Sequence, residues 1–136
     1  MEIGLSACYR INVRVEWRNN SMETIETEEI IMKLISYGGD AKSSALKAID
    51  LSMDGKFEEA EEMLKRADKS LMYAHEFQTG LLQKECDAEL KGNDNGVRVS
   101  LMLVHGQDHL MNAMTTRDLA EKIIKLNRRL MKEEMK

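Results

Sequence analysis

The sequence predicts an all-α protein built as a three-helix antiparallel bundle. Proline is absent from all 136 residues, so nothing in the chain breaks a helix by removing a backbone donor. From Met22 onward the strong helix formers Ala, Leu, Glu, Lys and Met dominate. Apolar residues recur at every third or fourth position, and turn-forming segments end this pattern at residues 54–55 and 91–96. Three long helices joined by two loops follow from these observations.

Helix 1 is predicted from about Thr24 to Met53. Gly38 and Gly39 interrupt it, and each glycine costs roughly 1 kcal/mol relative to alanine in a helix. A kink or a close approach of another helix is therefore expected there. Ile30, Ile35 and Ile49 widen the apolar stripe, whose main members are Ile31, Leu34, Gly38, Ala41, Ala45 and Ala48.

Helix 2 is the most regular of the three and is predicted to end near Leu90. Asp54-Gly55 precedes it, with glycine suited to the left-handed position after a helix end. The segment 91–96, Lys-Gly-Asn-Asp-Asn-Gly, is the strongest loop in the chain. The two short connections make consecutive helices antiparallel neighbours. The 3-4 spacing of a bundle seam is shown by Phe57, Ala60, Leu64, Ala67, Leu71, Ala74, Gln78 and Leu81.

Helix 3, predicted from about Val97 to Lys132, carries two apolar seams. One bundle needs only one buried stripe per helix, so the second seam indicates contact with other subunits or an exposed apolar surface. We favour a homo-oligomer, with Asp108 inside that contact. A charge buried there would need neutralisation or a metal. The first seam contains Leu103, Gly106, Leu110, Ala113, Ala120 and Ile124, and the second Leu101, Val104, Asp108, Met111 and Thr115.

Residues 1–21 differ from the rest of the chain. Segment 11–17 alternates apolar and polar residues as a strand does, yet it has no partner strand in a helical chain. We expect residues 1–21 to be an N-terminal extension that is disordered or loosely packed, or to come from a mis-assigned start. In the second case translation begins at Met22. The helical domain is accordingly predicted to span residues 22–136.

Charge and composition exclude several classes of protein. The net charge of −4 argues against a general nucleic-acid binder, which needs a basic face. Two cysteines far apart suggest neither a disulfide framework nor a zinc site, and they fit a reducing cytoplasm. No apolar run approaches a membrane span. We expect a cytoplasmic protein. A solvated helix end is expected for the basic cluster of Lys122, Lys125, Arg128, Arg129 and Lys132.

The residues capable of chemistry lie around two histidines of helix 3. His105 and His109 are four residues apart and project from one helix face. A transition-metal site, nucleophilic catalysis by an imidazole, and polar residues in a bundle groove are all compatible with this spacing. The metal interpretation lacks a clear third ligand. Gly106, in a helix interior, suggests close backbone approach or space for a bulky adduct.

The segment 104–111, Val-His-Gly-Gln-Asp-His-Leu-Met, resembles the lactose/cellobiose family of enzyme IIA components of the bacterial sugar phosphotransferase system. The likeness extends to 29–35 and 39–44 in helix 1 and to 54–60 at the first turn. Ala74-His75 with Gln78-Thr79 is similar to the middle of the family's second helix. Together these matches run in order from about Glu28 to Arg129.

The resemblance implies a homotrimer of nine helices in which His105 carries a phosphoryl group. The donor would be the histidine-containing phosphocarrier protein, and the acceptor a cysteine of the cognate IIB component, which serves the membrane component IIC. Asp108 would bind one divalent metal per trimer, Mg²⁺ by preference, at the trimer axis. His109 would support the phosphoryl oxygens, while His75 and Gln78 would line the cleft between subunits.

One residue of the motif departs from the family pattern, and a second function is compatible with the same site residues. Asn112 stands where the family motif usually has threonine, so local hydrogen bonding is expected to differ. The alternative function is a non-catalytic helical trimer that binds a metal or a regulatory partner through His105, Asp108 and His109. By resemblance the imported sugar is a β-linked disaccharide of the lactose, cellobiose or chitobiose type, whose identity the IIC component selects.

Overall fold

Three long helices form the described part of the molecule. The computed structural model describes residues 21–93 and 96–134, with side chains from residue 26 onward. Helix α1 spans Ser21–Met53, α2 spans Phe57–Lys91 and α3 spans Leu101–Glu134. These residues include no strand, which confirms the predicted all-α bundle. None of the described helices is both long and apolar enough to cross a membrane.

The expectations for the N-terminal segment concern residues 1–21, of which 1–20 lie outside the described part of the chain. The strand-like pattern at 11–17 is among them. The boundary at Met22 therefore stays a prediction. Helix α1 itself begins at Ser21, three residues before the predicted start near Thr24.

Glycine ends the first two helices as predicted. Gly55 follows α1 with φ +75°, and Lys56 N–H donates to the carbonyl of Leu51 at 2.9 Å. Gly92 follows α2 with φ +60°, and its N–H and that of Asn93 satisfy carbonyls of the last helical turn. These φ values lie in the left-handed region, where a side chain would be strained.

Helix α3 begins at Leu101, four residues later than the predicted start at Val97. The Ser100 hydroxyl accepts the N–H of Leu103 at 3.1 Å and so caps the first turn. Val97 instead donates its N–H to the Glu85 carboxylate of α2. Its backbone is thus tied to another helix before α3 starts, which the apolar pattern alone does not indicate.

Alanine dominates the core. Leu34 and Leu110 are the large apolar side chains that are fully buried. Several methionines lie at the surface: Met32, Met53 and Met111 are all more than half exposed. Small core residues allow the helix axes to approach closely. The alanines with no exposed surface are Ala41, Ala45, Ala48, Ala60, Ala67, Ala74, Ala113 and Ala120.

Polar contacts between the helices show their relative directions. Arg117 of α3 binds Asp68 of α2, and both partners lie near the middle of the bundle. The Asn127 amide donates to the Ser52 hydroxyl at 2.8 Å, which joins the ends of α1 and α3. Helices α1 and α3 are therefore parallel, and α2 is antiparallel to both. We call the end formed by residue 53 and residues 124–134 the distal end.

Part of the basic cluster at the distal end is not simply solvated. Arg128 binds Glu61 of α2 at 2.5 Å and lies over the Phe57 ring, 4.9 Å from its centroid. Lys125 binds Glu121 one turn earlier in α3. The prediction of a solvated helix end is thus wrong for Arg128, because partners on α2 are brought to it by the fold.

A second polar cluster joins α1 to α2. Asp40 accepts hydrogen bonds from Arg66 and from the Ser70 hydroxyl, both at 2.6 Å. The hydrogen bond from Arg66, and then that from Ser70, holds the pKa of Asp40 below its ordinary value of 3.8. The carboxylate is therefore ionised at neutral pH and ties the middles of the two helices together.

Candidate phosphoryl-acceptor site

The two histidines of α3 contact each other at the surface. His105 is exposed and His109 is half-buried. Their ring centroids are 4.6 Å apart with the planes at 80°, an edge-to-face arrangement. The shared helix face predicted from the spacing of four residues is confirmed. An exposed imidazole can reach a reacting group on another protein, and the ring beside it can contact the same group.

The backbone beneath this pair is held by α1. A Cβ placed on Gly38 would lie 3.0 Å from the carbonyl carbon of His109 and 3.1 Å from its oxygen. A Cβ on Gly106 would lie 3.2 Å from the Ile31 side chain. The close helix approach expected at Gly38 and at Gly106 is confirmed. A Cβ placed on Gly39, in contrast, would have no atom within 4 Å. Helix α1 therefore fixes the position of α3 directly behind the histidines.

His75 and Gln78 belong to α2, which packs against α3 on the side away from His105. The Gln78 amide donates to the Gln107 side-chain oxygen at 2.6 Å, linking α2 to α3. Gln107 is two residues beyond His105, so it points roughly 200° around the helix from it. His75 is exposed, and no ring contact or hydrogen bond joins it to His105 or His109 in the described structure. A single subunit thus does not bring His75 and Gln78 to His105.

Asp108 lies on the second seam of α3, which is exposed along its length. Leu101 is 86% exposed, Val104 44% and Met111 53%. Asp108 and Thr115 are exposed as well. In one subunit this seam is an apolar surface with a carboxylate in its middle, covered by no other helix. The two seams read from the sequence are therefore separate in space, one buried and the other open.

No cluster of three or more potential metal ligands of the histidine, cysteine or acidic type occurs among the described residues of one subunit. A metal site formed within one chain by His105, Asp108 and His109 is therefore not supported. Asp108 offers one carboxylate per chain, and carboxylate oxygens suit a hard cation such as Mg²⁺. Three copies around an axis would provide a donor set that a single chain lacks, so this residue is compatible with a shared ion.

Sequence reasoning missed the partner of Gln78. Gln107 is 29 residues away along the chain, and no spacing rule connects the two. Asn112, the departure from the family motif, is exposed, and its backbone carbonyl accepts the Thr116 hydroxyl at 2.7 Å. Its side chain makes no hydrogen bond in the described structure.

Comparisons with known proteins agree with this geometry. Residues 29–128 match the family model described as "PTS system, Lactose/Cellobiose specific IIA subunit". The lichenan-specific phosphotransferase enzyme IIA component of Bacillus subtilis is 44% identical over 101 residues, covering 74% of this chain and 86% of the relative. The galactose-specific EIIA component of Lactococcus lactis is 43% identical, covering 79% of this chain and 87% of the relative.

Solved structures share the fold. The cellobiose-specific enzyme IIA of Bacillus anthracis matches with a TM-score of 0.69 and 38% identity, covering 76% of this chain and 90% of that one. The IIA(Chitobiose) protein of Escherichia coli, solved in complex with HPr, matches with a TM-score of 0.64 and 35% identity over 76% of this chain and 95% of that one. The chain belongs to the lactose/cellobiose-specific IIA family of the bacterial sugar phosphotransferase system.

Proposed function

We propose that this protein is a phosphocarrier that accepts a phosphoryl group on His105 from the histidine-containing phosphocarrier protein HPr and passes it to a cysteine of a IIB component. The observation that carries the proposal is the exposed imidazole of His105 with the His109 ring edge-to-face beside it. HPr is the partner in the solved complex of the Escherichia coli relative. Such a relay operates on the cytoplasmic side of the membrane, where the IIB component receives the group.

The chemistry needs little from the protein beyond position. A neutral imidazole nitrogen of His105 attacks phosphorus as the bond from phosphorus to the donor nitrogen breaks, so one P–N bond replaces another. The bond formed on His105 later breaks as the IIB thiolate attacks. His109 supports the phosphoryl oxygens, since it can donate an N–H at short range. Positioning of the two proteins and support of the transferred charge then provide most of the catalysis.

A homotrimer completes the site. The exposed seam of Leu101, Val104, Asp108 and Met111 supports assembly along α3, because a monomer would leave this apolar surface in water. Subunits arranged around an axis along that seam place the α2 flank of one copy beside the His105 flank of the next. His75 and Gln78 would then line the cleft that holds His105 of the neighbouring copy, although neither reaches it within one chain.

Asp108 would hold one divalent cation, Mg²⁺ by preference, where three copies of the seam meet. The ion would neutralise three carboxylates that otherwise repel one another and would stabilise the trimer. The cation carries no step of phosphoryl transfer. Native mass spectrometry of the wild-type protein and Asp108→Asn, each before and after chelation, tests this role through the mass of the assembly.

The transported sugar is proposed to be a β-linked disaccharide. Relatives are named as specific for lichenan, cellobiose, lactose, galactose and N,N'-diacetylchitobiose. The IIA protein passes on a phosphoryl group and does not select the sugar, which is the task of the membrane component IIC.

The deciding experiment is phosphorylation by purified enzyme I, HPr and phosphoenolpyruvate, followed by intact mass spectrometry. The wild-type protein should gain one phosphate that is lost at acid pH, and His105→Ala should gain none. His109→Ala should still accept the group, but more slowly. If the wild type gains no phosphate while the same reagents modify another IIA protein, the carrier role is wrong.

A further inference from the structure

A groove at the distal end of the bundle has no part in the relay described above. It has a volume of about 490 Å³ and lies between α2 and the second half of α3. Leu64 and Ile124 form its apolar floor, and both are also part of the core. Its rim carries six basic and three acidic side chains. An amphipathic groove of this kind matches a surface that combines apolar side chains with carboxylates.

The charges of the groove are not balanced within the subunit. Each acidic residue of the rim already binds an arginine or lysine, as Glu61 binds Arg128. Lys65, Arg129 and Lys132 have no carboxylate partner within the described structure. Three basic groups are thus available to an incoming acidic group. This number agrees with the rim as a whole, which has six basic and three acidic side chains.

The same chain carries a surface of the complementary kind at the end of α1. Leu46 is 47% exposed and Met53 is 64% exposed. Asp50 lies between them, is exposed, and has no ion-pair partner among the described residues. Positions 46, 50 and 53 follow the i, i+4, i+7 pattern of one helix face. We call these three residues the α1 stripe.

The α1 stripe and the groove lie at the same height along the bundle. The hydrogen bond from Asn127 to Ser52 places the end of α1 beside the part of α3 that borders the groove. The groove opens between α2 and α3, so the α1 stripe of the same chain does not cover it. A rotation about an axis parallel to α3 preserves height, so it can bring the α1 stripe of one copy to the groove of the next.

We infer that the groove receives the α1 stripe of a neighbouring copy of this chain, with Asp50 of one subunit meeting the unpaired basic residues, above all Arg129, of the next. The contact is head-to-tail, and such contacts form a closed ring when the rotation closes. It is continuous with the proposed seam, because Leu126 and Leu130 of α3 are about half exposed beside Arg129. The inference rests on the proposed homotrimer.

The contact also bears on the phosphoryl-acceptor site. Lys65, Asp68, Met72 and His75 follow one another along α2 at intervals of three and four, so they share a face. Seating the α1 stripe in the groove therefore sets the height at which His75 faces a neighbouring subunit. The distal groove acts as a positioning device for the composite cleft, remote from the transferred group itself.

Sedimentation velocity of the full-length chain over a concentration series tests the inference. Arg129→Glu should raise the dissociation constant of the trimer roughly tenfold, because three symmetry-related copies of an exposed pair are lost and reversed together. Lys47→Glu is the matched control: Lys47 is exposed on α1, outside both surfaces, and the change in net charge is the same. It should leave the dissociation constant unchanged.

A second experiment exchanges the charges of Asp50 and Arg129. Asp50→Arg alone should weaken the trimer as Arg129→Glu does, and the two changes together should restore it to within about threefold of the wild type. The inference would be overturned if the double variant did not regain the wild-type dissociation constant, or if neither substitution changed that constant. The groove would then be a site for an acidic partner other than this chain.

The test of the groove contact can be distinguished from the test of the proposed carrier role. Phosphate gain on His105 is measured on the same samples. A wild type that is phosphorylated but never trimeric overturns the groove contact and keeps the carrier role. A wild-type trimer that responds to the charge reversals but takes no phosphate supports the contact and refutes the carrier role.

Discussion

Of two adjacent glycines in α1, replacing Gly39 by alanine should give a more stable protein than replacing Gly38 by alanine. Gly38 and Gly39 both lie in the interior of the helix, and each gains about 1 kcal/mol of helix propensity on becoming alanine. Only Gly38 is packed against another backbone. A new Cβ there would lie 3.0 Å from the carbonyl carbon of His109 and 3.1 Å from the Leu110 nitrogen.

The size of the effect follows from that distance. Ordinary contacts between carbon atoms begin at about 3.5 Å, so α1 and α3 must separate by roughly 0.5 Å. Overpacking of this kind costs about 1–3 kcal/mol. Gly39→Ala meets nothing within 4 Å and should stabilise the protein. The propensity gain is common to both variants, so their difference in unfolding free energy measures the steric cost alone, about 1–3 kcal/mol in favour of Gly39→Ala.

Urea unfolding at matched protein concentration measures the difference, and two concentrations separate subunit folding from assembly. The rate of phosphate gain on His105 provides a second readout, because the clash displaces the backbone of His109. Gly38→Ala should be slower than Gly39→Ala. If Gly38→Ala proves as stable as Gly39→Ala, the close approach of α1 and α3 behind the histidines is wrong.

Three further predictions concern the fold. Asp40→Asn should lower the free energy of unfolding at neutral pH. Folding lowers the pKa of Asp40, so its carboxylate stabilises the protein above the ordinary pKa of 3.8, and this stabilisation is lost as the pH falls through the pKa of the folded state. The deficit of Asp40→Asn relative to the wild type should therefore shrink as the pH falls below 3.8. Ser52→Ala should cost about 1 kcal/mol in urea unfolding, since it leaves the half-buried Asn127 amide unpaired. Gly55→Ala should cost about 1 kcal/mol by the same measurement, since φ is +75° there.

Each of these has a contradicting result. A constant difference between Asp40→Asn and wild type from pH 7 to pH 2 would show that the charge of Asp40 is irrelevant to folding. A neutral Ser52→Ala would mean that Asn127 finds water or another acceptor. A Gly55→Ala variant as stable as the wild type would mean that alanine adopts φ +75° there without strain. Its control is Gly80→Ala in α2, where nothing lies within 4 Å of the added carbon and stabilisation is expected.

The periodicity of the chain was sufficient to define the bundle. Local propensity and apolar spacing depend on neighbours within one or two turns, so they are readable without the fold. The stripe from Ile31 to Ala48 is buried as predicted, and the second seam of α3 is exposed. The start of α3 was placed four residues too early: Ser100 caps the helix, and Val97 before it binds the Glu85 carboxylate of α2 through its N–H.

Pairings across helices were decided by the tertiary structure alone. The contact between His105 and His109 was readable because four residues make one helical turn. The pair of Gln78 and Gln107 is 29 residues apart, and its existence depends on how α2 and α3 pack. The sequence by itself thus determined which residues lie on which helix face. Only the packing of the faces decided that Gly38 supports His109 and that a basic groove opens at the distal end.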